Sequence, residues 1–339
     1  MAEQFNQLRR LGSGYFGEVW LSNETALSRD VALKLIPLNK ILDPTNLFAE
    51  AKLLSAARHP NVVDILEAGH FDSDRIYISM EFLKKGSLED ETRGGFVDLS
   101  RAKRVMVDVL RGLAHLHKNE IVHRDIKPAN ILIGSNSEAK LSDFGLAKKV
   151  DNSTKNLGVK DLNHVRHKAP EVWLGGNFNK LSDIYAAGMT LYRLVNGDSY
   201  LPPNFEIESV LDGTYPRRDK NRAFITKPVR AIIKKALSLE PSDRFESADE
   251  MRTAIEKLAT DANWHEVVKT DGMEWSATKN GRCYFVKLKE NGILGDVEVT
   301  QGSSKQTQRK ITDLCKKSLA LEKAKREVSR IMQNLVLGK

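Results

Sequence analysis

The chain carries 339 residues, 53 of them Lys or Arg and 45 Asp or Glu, for a net charge of +8, with 41% apolar and 7% aromatic residues. That is the composition of an ordinary globular protein, and it excludes a disordered, collagen-like or low-complexity chain. At about 100–200 residues per domain the length predicts two domains, or one large domain with an appendage.

Short apolar strands separated by turns are predicted over 17–22, 31–36 and 75–82. One helix interrupts them: Asp43 caps it, Pro44 takes its first position, and it runs to the breaker His59-Pro60. Beyond Gly86 the apolar period becomes helical, and Val105, Val109, Leu113 and Leu116 form a stripe over 100–117. Further helices are predicted over 182–196, stopped by Gly197, and over 229–239 and 248–259. A strand-rich lobe therefore precedes a helix-rich one, with the stretch at Gly86 as the hinge. Past Asp261 strands return over 273–277, 282–288 and 292–300, separated by the turn signals Lys279-Asn280-Gly281 and Glu290-Asn291-Gly292. Gly302-Ser303-Ser304 then opens a predicted basic helix over 305–337.

The two cysteines, Cys283 and Cys315, have neither C-x-x-C spacing nor the density of a disulfide scaffold, and read as thiols in a reducing compartment. No apolar run reaches the roughly 18–20 residues that span a bilayer, and the first ten residues, MAEQFNQLRR, lack the apolar stretch of a secretory signal. The expectation is a cytoplasmic protein with no membrane partner.

Chemistry-bearing residues follow a fixed order. Gly12, Gly14 and Gly17, ahead of Val19, place three glycines between two strands, where backbone amides can approach a phosphate; a tight hairpin explains an isolated match equally well. Val31-Ala32-Leu33-Lys34 sets a lysine in an apolar strand, with Glu50 on the next helix as its candidate partner; a lysine snorkelling to the surface is the simpler alternative. His123-Arg124-Asp125-Ile126-Lys127-Pro128-Ala129-Asn130 is followed by Asp143-Phe144-Gly145 and then by Ala169-Pro170-Glu171.

Taken together these motifs resemble those of the eukaryotic-type, or Hanks-type, protein kinase family, in that family's order and spacing. The resemblance implies an α+β, bilobal protein kinase fold over 1–261, with a β-rich N-lobe over 1–83 and a helical C-lobe over 84–261, and leaves an accessory β-hairpin and helix module over 262–339. It implies ATP-dependent phosphoryl transfer to protein Ser or Thr hydroxyls, with Mg²⁺, or Mn²⁺ in its place, as the ion. Asp125 then takes the position that accepts or orients the hydroxyl proton, and Asn130 and Asp143 are the implied ion ligands. Lys34, fixed by Glu50, holds the α- and β-phosphates, and Gly12, Gly14, Gly17, Val19 and Ala32 line the nucleotide site. Glu81 and Leu83 meet the adenine through their backbone, and Lys127 resembles the γ-phosphate lysine of the serine/threonine subgroup. Asp183 is implied as the brace of the catalytic-loop backbone, and Glu171 with Arg244 as a buried ion pair.

One position departs from the pattern: His164 stands where the family usually carries a threonine. Between Asp143 and Glu171 the only hydroxyl side chains of Ser or Thr are Ser153 and Thr154, the candidates for autophosphorylation, with Arg124 as the clamp for the added phosphate.

The basic excess is local: residues 262–339 hold 15 Lys and Arg against nine Asp and Glu. The predicted tail helix spaces Ile311, Leu314, Cys315, Leu319, Ala324, Val328 and Ile331 so that it packs on its own hairpins or on the rest of the chain. The alternative is a nucleic-acid or protein partner held by this module, in an enzyme or in a kinase-like scaffold without turnover. Trp264, Trp275, Tyr284 and Phe285 would then be a stacking platform, although core filling is the simpler reading.

Overall fold

The computed structural model describes residues 4–14, 17–41, 44–56, 58–143, 165–260, 262–303 and 307–337, with Pro44, Asn46 and Glu50 described in backbone only. Five antiparallel strands open the fold: β1 (Phe5–Gly14), β2 (Gly17–Glu24), β3 (Arg29–Pro37), then helix α1 (Pro44–Ala56), then β4 (Ile65–His70) and β5 (Arg75–Glu81), in the spatial order β1-β2-β3-β5-β4. Strand periodicity divides β3 between two faces. Val31, Leu33 and Leu35 pack with Phe5 and Tyr77 in a small outer core, while Ala32 and Ile36 turn to the main core. Lys34 falls between Ala32 and Ile36, so the pleat aims it at the interior of the molecule.

Helices follow. A capping box at Ser87 starts α2 (Leu88–Thr92), and Asp98, accepting from the Arg101 N–H, starts α3 (Leu99–Lys118). The hairpin β6 (Ile131–Ile133) and β7 (Ala139–Leu141) comes next, then α4 (Pro170–Trp173) and α5 (Lys180–Asn196). Helix α5 is apolar around most of its circumference and buried from Ser182 onward, which makes it the axis on which α3 and the later helices pack. Helices α6 (Ile207–Leu211), α7 (Lys227–Ala236) and α8 (Ala248–Glu256) complete this part. Arg244, with a fully buried side chain, forks onto Glu171 through two 2.7 Å hydrogen bonds and donates its remaining N–H groups to the carbonyls of Leu181, Ser238 and Leu239.

The last part is a sheet of β8 (Asn263–Lys269), β9 (Gly272–Lys279), β10 (Arg282–Asn291), β11 (Leu294–Gly302), β12 (Arg309–Lys310) and β13 (Lys316–Ala320), covered by α9 (Leu321–Leu337). The Lys279-Asn280-Gly281 signal is a tight turn, with Asn280 at φ 50° and Gly281 at φ 74°, both in the left-handed region. Ala324, Val328, Ile331 and Met332 of α9 close over Trp275, Val286, Leu288 and Val299, and this core runs on into that of the helical lobe.

Several expectations need correction. Strands β1, β4 and β8 escaped the pattern reading, because their burial is one-sided and interrupted. The predicted helix over 305–337 begins only at Leu321. Ahead of it β12 and β13 both pair with β11, and Ile311, just past β12, Leu314, in a 3₁₀ turn, and Leu319, in β13, pack on the core. Their near-helical spacing reflects successive returns to one core, not a helix face. Trp264 and Trp275 are 2% and 3% exposed, so the core-filling reading holds for both and they form no stacking platform. Tyr284, paired with Ala277, shares their face, and Phe285 alone of the four lies on the other.

Removing one member of a buried, fully bonded ion pair costs about 3–5 kcal/mol. Arg244→Met should therefore lower the melting temperature by on the order of 10 °C, measured by calorimetry, with nucleotide binding at 25 °C retained by the folded fraction.

Candidate active site

The cleft between the first sheet and the helices is built from both sides. On the sheet side Lys34 lies across from Val19 on β2 and Ile78 on β5, and Ala32 lies across from Leu21 and Met80, so Val19, Ala32 and Lys34 share one face. The Lys34 side chain is only 18% exposed and donates to Asp143 Oδ1 at 2.6 Å. It is thus an enclosed cation with a carboxylate partner, not a snorkelling lysine. That partner is Asp143; the side chain of Glu50 lies outside the described residues. In the strand pair below the glycines, Gly12 sits opposite Val19 and Gly14 opposite Gly17. Gly17 has φ 136°, and a β-carbon there would sit 1.9 Å from the Leu35 carbonyl oxygen, so no other residue fits. At Gly12 a β-carbon would meet nothing within 4 Å, which leaves the backbone open to close approach by a ligand.

On the helical side the loop after α3 carries Asp125, which is buried, and its carboxylate is braced twice. Asn130 Nδ2 donates to Asp125 Oδ2 at 2.8 Å and to its carbonyl at 2.9 Å, and Lys127 Nζ donates to Oδ2 at 3.0 Å. The loop itself hangs from Asp183 on α5. Oδ2 accepts the His123 N–H and Oδ1 the Arg124 N–H, both at 2.8 Å, while His117 Nε2 lies 2.9 Å from Oδ2. Arg124 is held at φ 70° and Asp143 at φ 54°, two left-handed conformations that cluster at functional sites. The Asn130 carbonyl accepts from the backbone and hydroxyl of Ser142, which ties the Asp125 loop to the segment bearing Asp143.

The Lys34 ammonium, opposed by burial, holds the Asp143 carboxyl below the usual aspartate range, and Asp125 and Lys127 are close enough to act on it as well. Two cations and two carboxylates therefore face one another. A carboxylate braced as Asp125 is can receive a proton from an alcohol, while the lysines can neutralise phosphate oxygens.

The residues fit a magnesium ion. Asp143 and Asn130 offer hard oxygen ligands, and magnesium is commonly held by one or two carboxylates with substrate phosphates completing its shell. Among the described residues no three His, Cys, Asp or Glu side chains converge as a metal group, and this mode of binding needs none. Glu81, expected to meet the adenine, ends β5, and its side chain accepts from the Asp64 N–H at 2.9 Å and from Lys140 Nζ at 2.7 Å. Leu83 follows it, its carbonyl accepting the Gly86 N–H at 3.1 Å. Ser153, Thr154, His164 and the Phe144-Gly145 pair lie outside the described residues.

Sequence reasoning missed several supporting groups. His117 was visible only as part of an amphipathic helix, and Lys140 carried no signal. His167 and Arg193 also went unread. His167 is buried, its Nε2 3.3 Å from Arg193 Nη1 and its Nδ1 3.3 Å from Thr190 Oγ1, and it lies within Coulombic range of Asp125 and Lys127.

A strand-rich lobe set on a helical one, with a lysine–carboxylate pair above a braced carboxylate loop, is a bilobal α+β plan with its charged groups gathered in the cleft. The chain matches the protein kinase domain model over residues 5–256 and belongs to the protein kinase family. It is 34% identical over 273 residues to the serine/threonine-protein kinase PrkC of Bacillus subtilis, covering 77% of this chain and 41% of that protein. It is 33% identical over 276 residues to the serine/threonine-protein kinase pkn2 of Myxococcus xanthus, 76% of this chain and 33% of that one. With serine/threonine-protein kinase PknB of Mycobacterium leprae it shares 29% identity over 257 residues, 72% of this chain and 41% of that one. The chain thus spans well under half the length of these relatives. Among the described residues no helix is long and apolar enough to cross a membrane.

Because Lys34 lowers the Asp143 pKa, this pair favours the folded state above the ordinary aspartate value of 3.8 and loses that contribution as pH falls through the depressed value. Carboxyl NMR titration should place the Asp143 midpoint below 3.8 in the unaltered chain and return it upward in Lys34→Met.

Proposed function

We propose that the chain is a protein kinase that transfers the γ-phosphoryl group of ATP to Ser or Thr hydroxyls of proteins, itself included. The observation that carries this reading is the Asp125 carboxylate, bonded by Asn130 and Lys127 and set within Coulombic range of the Lys34–Asp143 pair. Transfer passes through a loose transition state with charge spread over the phosphoryl oxygens, so the protein's work is positioning and charge stabilisation. Asp125 takes or orients the proton of the incoming hydroxyl. Lys127, bound to the same carboxylate, is placed to follow charge onto the transferring group. Lys34 gives up Asp143 in favour of the α- and β-phosphates, and Asp143 with Asn130 holds Mg²⁺, or Mn²⁺. The bound ion supplies charge neutralisation across the phosphates. Gly12, Gly14 and Gly17 cover those phosphates, Val19 and Ala32 roof the base, and the backbone at Glu81 and Leu83 reads its edge.

Serine/threonine direction is supported by Lys127 and by the relatives, which are serine/threonine-protein kinases by name. A scaffold without turnover is disfavoured, because Lys34, Asp125, Lys127, Asn130 and Asp143 converge on one cleft, two cations against two carboxylates. The same reading divides the chain into a kinase domain over 1–261 and a module over 262–339, and assigns it to the cytoplasm, where unpaired thiols such as Cys283 and Cys315 persist. Ser153 and Thr154 are the proposed autophosphorylation sites.

With labelled ATP and Mg²⁺, the unaltered chain should label itself or casein, and Lys34→Met and Asp143→Asn should each reduce labelling by about 10²–10³-fold. Undiminished labelling in both, with the melting temperature preserved, would defeat this assignment. Alanine at both Ser153 and Thr154 should remove the labelled phosphopeptide from the segment 144–164.

A further inference from the structure

The kinase reading leaves residues 262–337 without a role, yet their strongest polar contact with the helical lobe is buried. Glu266 on β8 and Arg222 form an ion pair whose side chains are 5% and 9% exposed. The second oxygen of Glu266 accepts from the Trp275 indole N–H at 2.7 Å, so the module fixes this carboxylate from its own core. Arg222 is held on the other side by the end of α5: its N–H reaches Asn196 Oδ1 at 3.0 Å and its Nε the Asn196 carbonyl at 2.8 Å. Its guanidinium also lies over the rings of Phe96, at 3.9 Å, and Tyr200, at 4.9 Å.

Tyr200 closes a single 3₁₀ turn, Asp198–Tyr200, and that turn begins with the next polar link. Asp198 accepts two hydrogen bonds, both 2.7 Å, from Arg193, which lies one helical turn before Asn196. Arg193 also reaches Glu89 at 3.1 Å and places Nη1 3.3 Å from His167 Nε2. Burial and the adjacent Arg193 cation keep the imidazole well below its ordinary pKa, so it is neutral and can accept from the guanidinium. His167 belongs to the segment 165–169 and lies within Coulombic range of Asp125 and Lys127. On the kinase reading Asp125 receives the acceptor hydroxyl, so a segment this near to it bears on the acceptor side.

We propose that Glu266 and Arg222 are positioning residues for phosphoryl transfer, through which the C-terminal module sets the acceptor-side segment at His167 by way of Tyr200, Asp198 and Arg193. The module then acts as a built-in brace of the protein-acceptor site. This rests on the kinase reading, but it concerns acceptor binding and leaves the ATP side alone. Buried polar networks of this kind hold one geometry only when every member is satisfied. Loss of Glu266 leaves Arg222 buried beside two rings with its charge unanswered.

The test is a double-mutant cycle in the full chain, with casein as acceptor. Glu266→Gln and His167→Phe should each raise the KM for casein about fivefold, leave the KM for ATP within about twofold, and give a double variant no worse than either single one, a coupling of the size expected for linked sites. Multiplied effects, or an unchanged casein KM in a Glu266→Gln protein that melts as the unaltered chain does, would overturn the proposal. If Glu266→Gln fails to fold, Tyr200→Leu takes its place in the cycle under the same criteria. An unaltered chain that transfers no phosphate to casein or to itself would instead overturn the kinase reading.

Discussion

The Asp183 carboxylate anchors the whole arrangement. It is 1% exposed, carried by the most deeply buried helix, and it accepts the backbone N–H groups of His123 and Arg124 while touching His117. Each buried backbone donor needs an acceptor, and a loop that turns through a left-handed residue cannot find one in a helix or sheet. Asp183 supplies two at once and thereby dictates where Asp125, one residue further on, must point. Asn130 and Lys127 then have a fixed target, and the Lys34–Asp143 pair a fixed opposite wall.

The same helix serves two sites. Its first turn carries Asp183, which holds the backbone of the Asp125 loop, and its last turn carries Arg193 and Asn196, which bond to His167 and to Arg222, the partner of Glu266. Both ends work through charged side chains whose hydrogen-bonding capacity is taken up inside the protein. That pattern trades the desolvation of charges for a unique geometry, a use of buried polarity suited to holding reacting groups in place.

Much of the site was legible in the sequence because its chemistry demands fixed spacings within short segments. Asp125, Lys127 and Asn130 are brought together by one loop, and the strand period alone puts Ala32 and Lys34 on one face. The Glu171–Arg244 fork was readable only through resemblance, since 73 residues separate its members. Other features left no local trace. The partner of Lys34 is a case in point: Asp143 lies 109 residues away, and only folding brings it to 2.6 Å. The tail failed for a different reason. Ile311, Leu314 and Leu319 meet one core from the end of a short strand, a 3₁₀ turn and another strand, and their spacing imitates a helix that the pairing of β12 and β13 with β11 forbids. His167 and Arg193 were invisible because a histidine and an arginine reveal themselves as a buried pair only when the residues that enclose them are known.

The contact at Gly17 reaches further than its own turn. Its α-carbon is pressed against the carbonyl of Leu35, the residue next to Lys34, so the start of β2 and the lysine strand are in steric register with no intervening side chain. Any substituted residue would wedge the two strands apart and shift the lysine ammonium with its strand. Variation at this single site would therefore be felt in both strands at once, and drift there would require compensating change in the neighbouring strand.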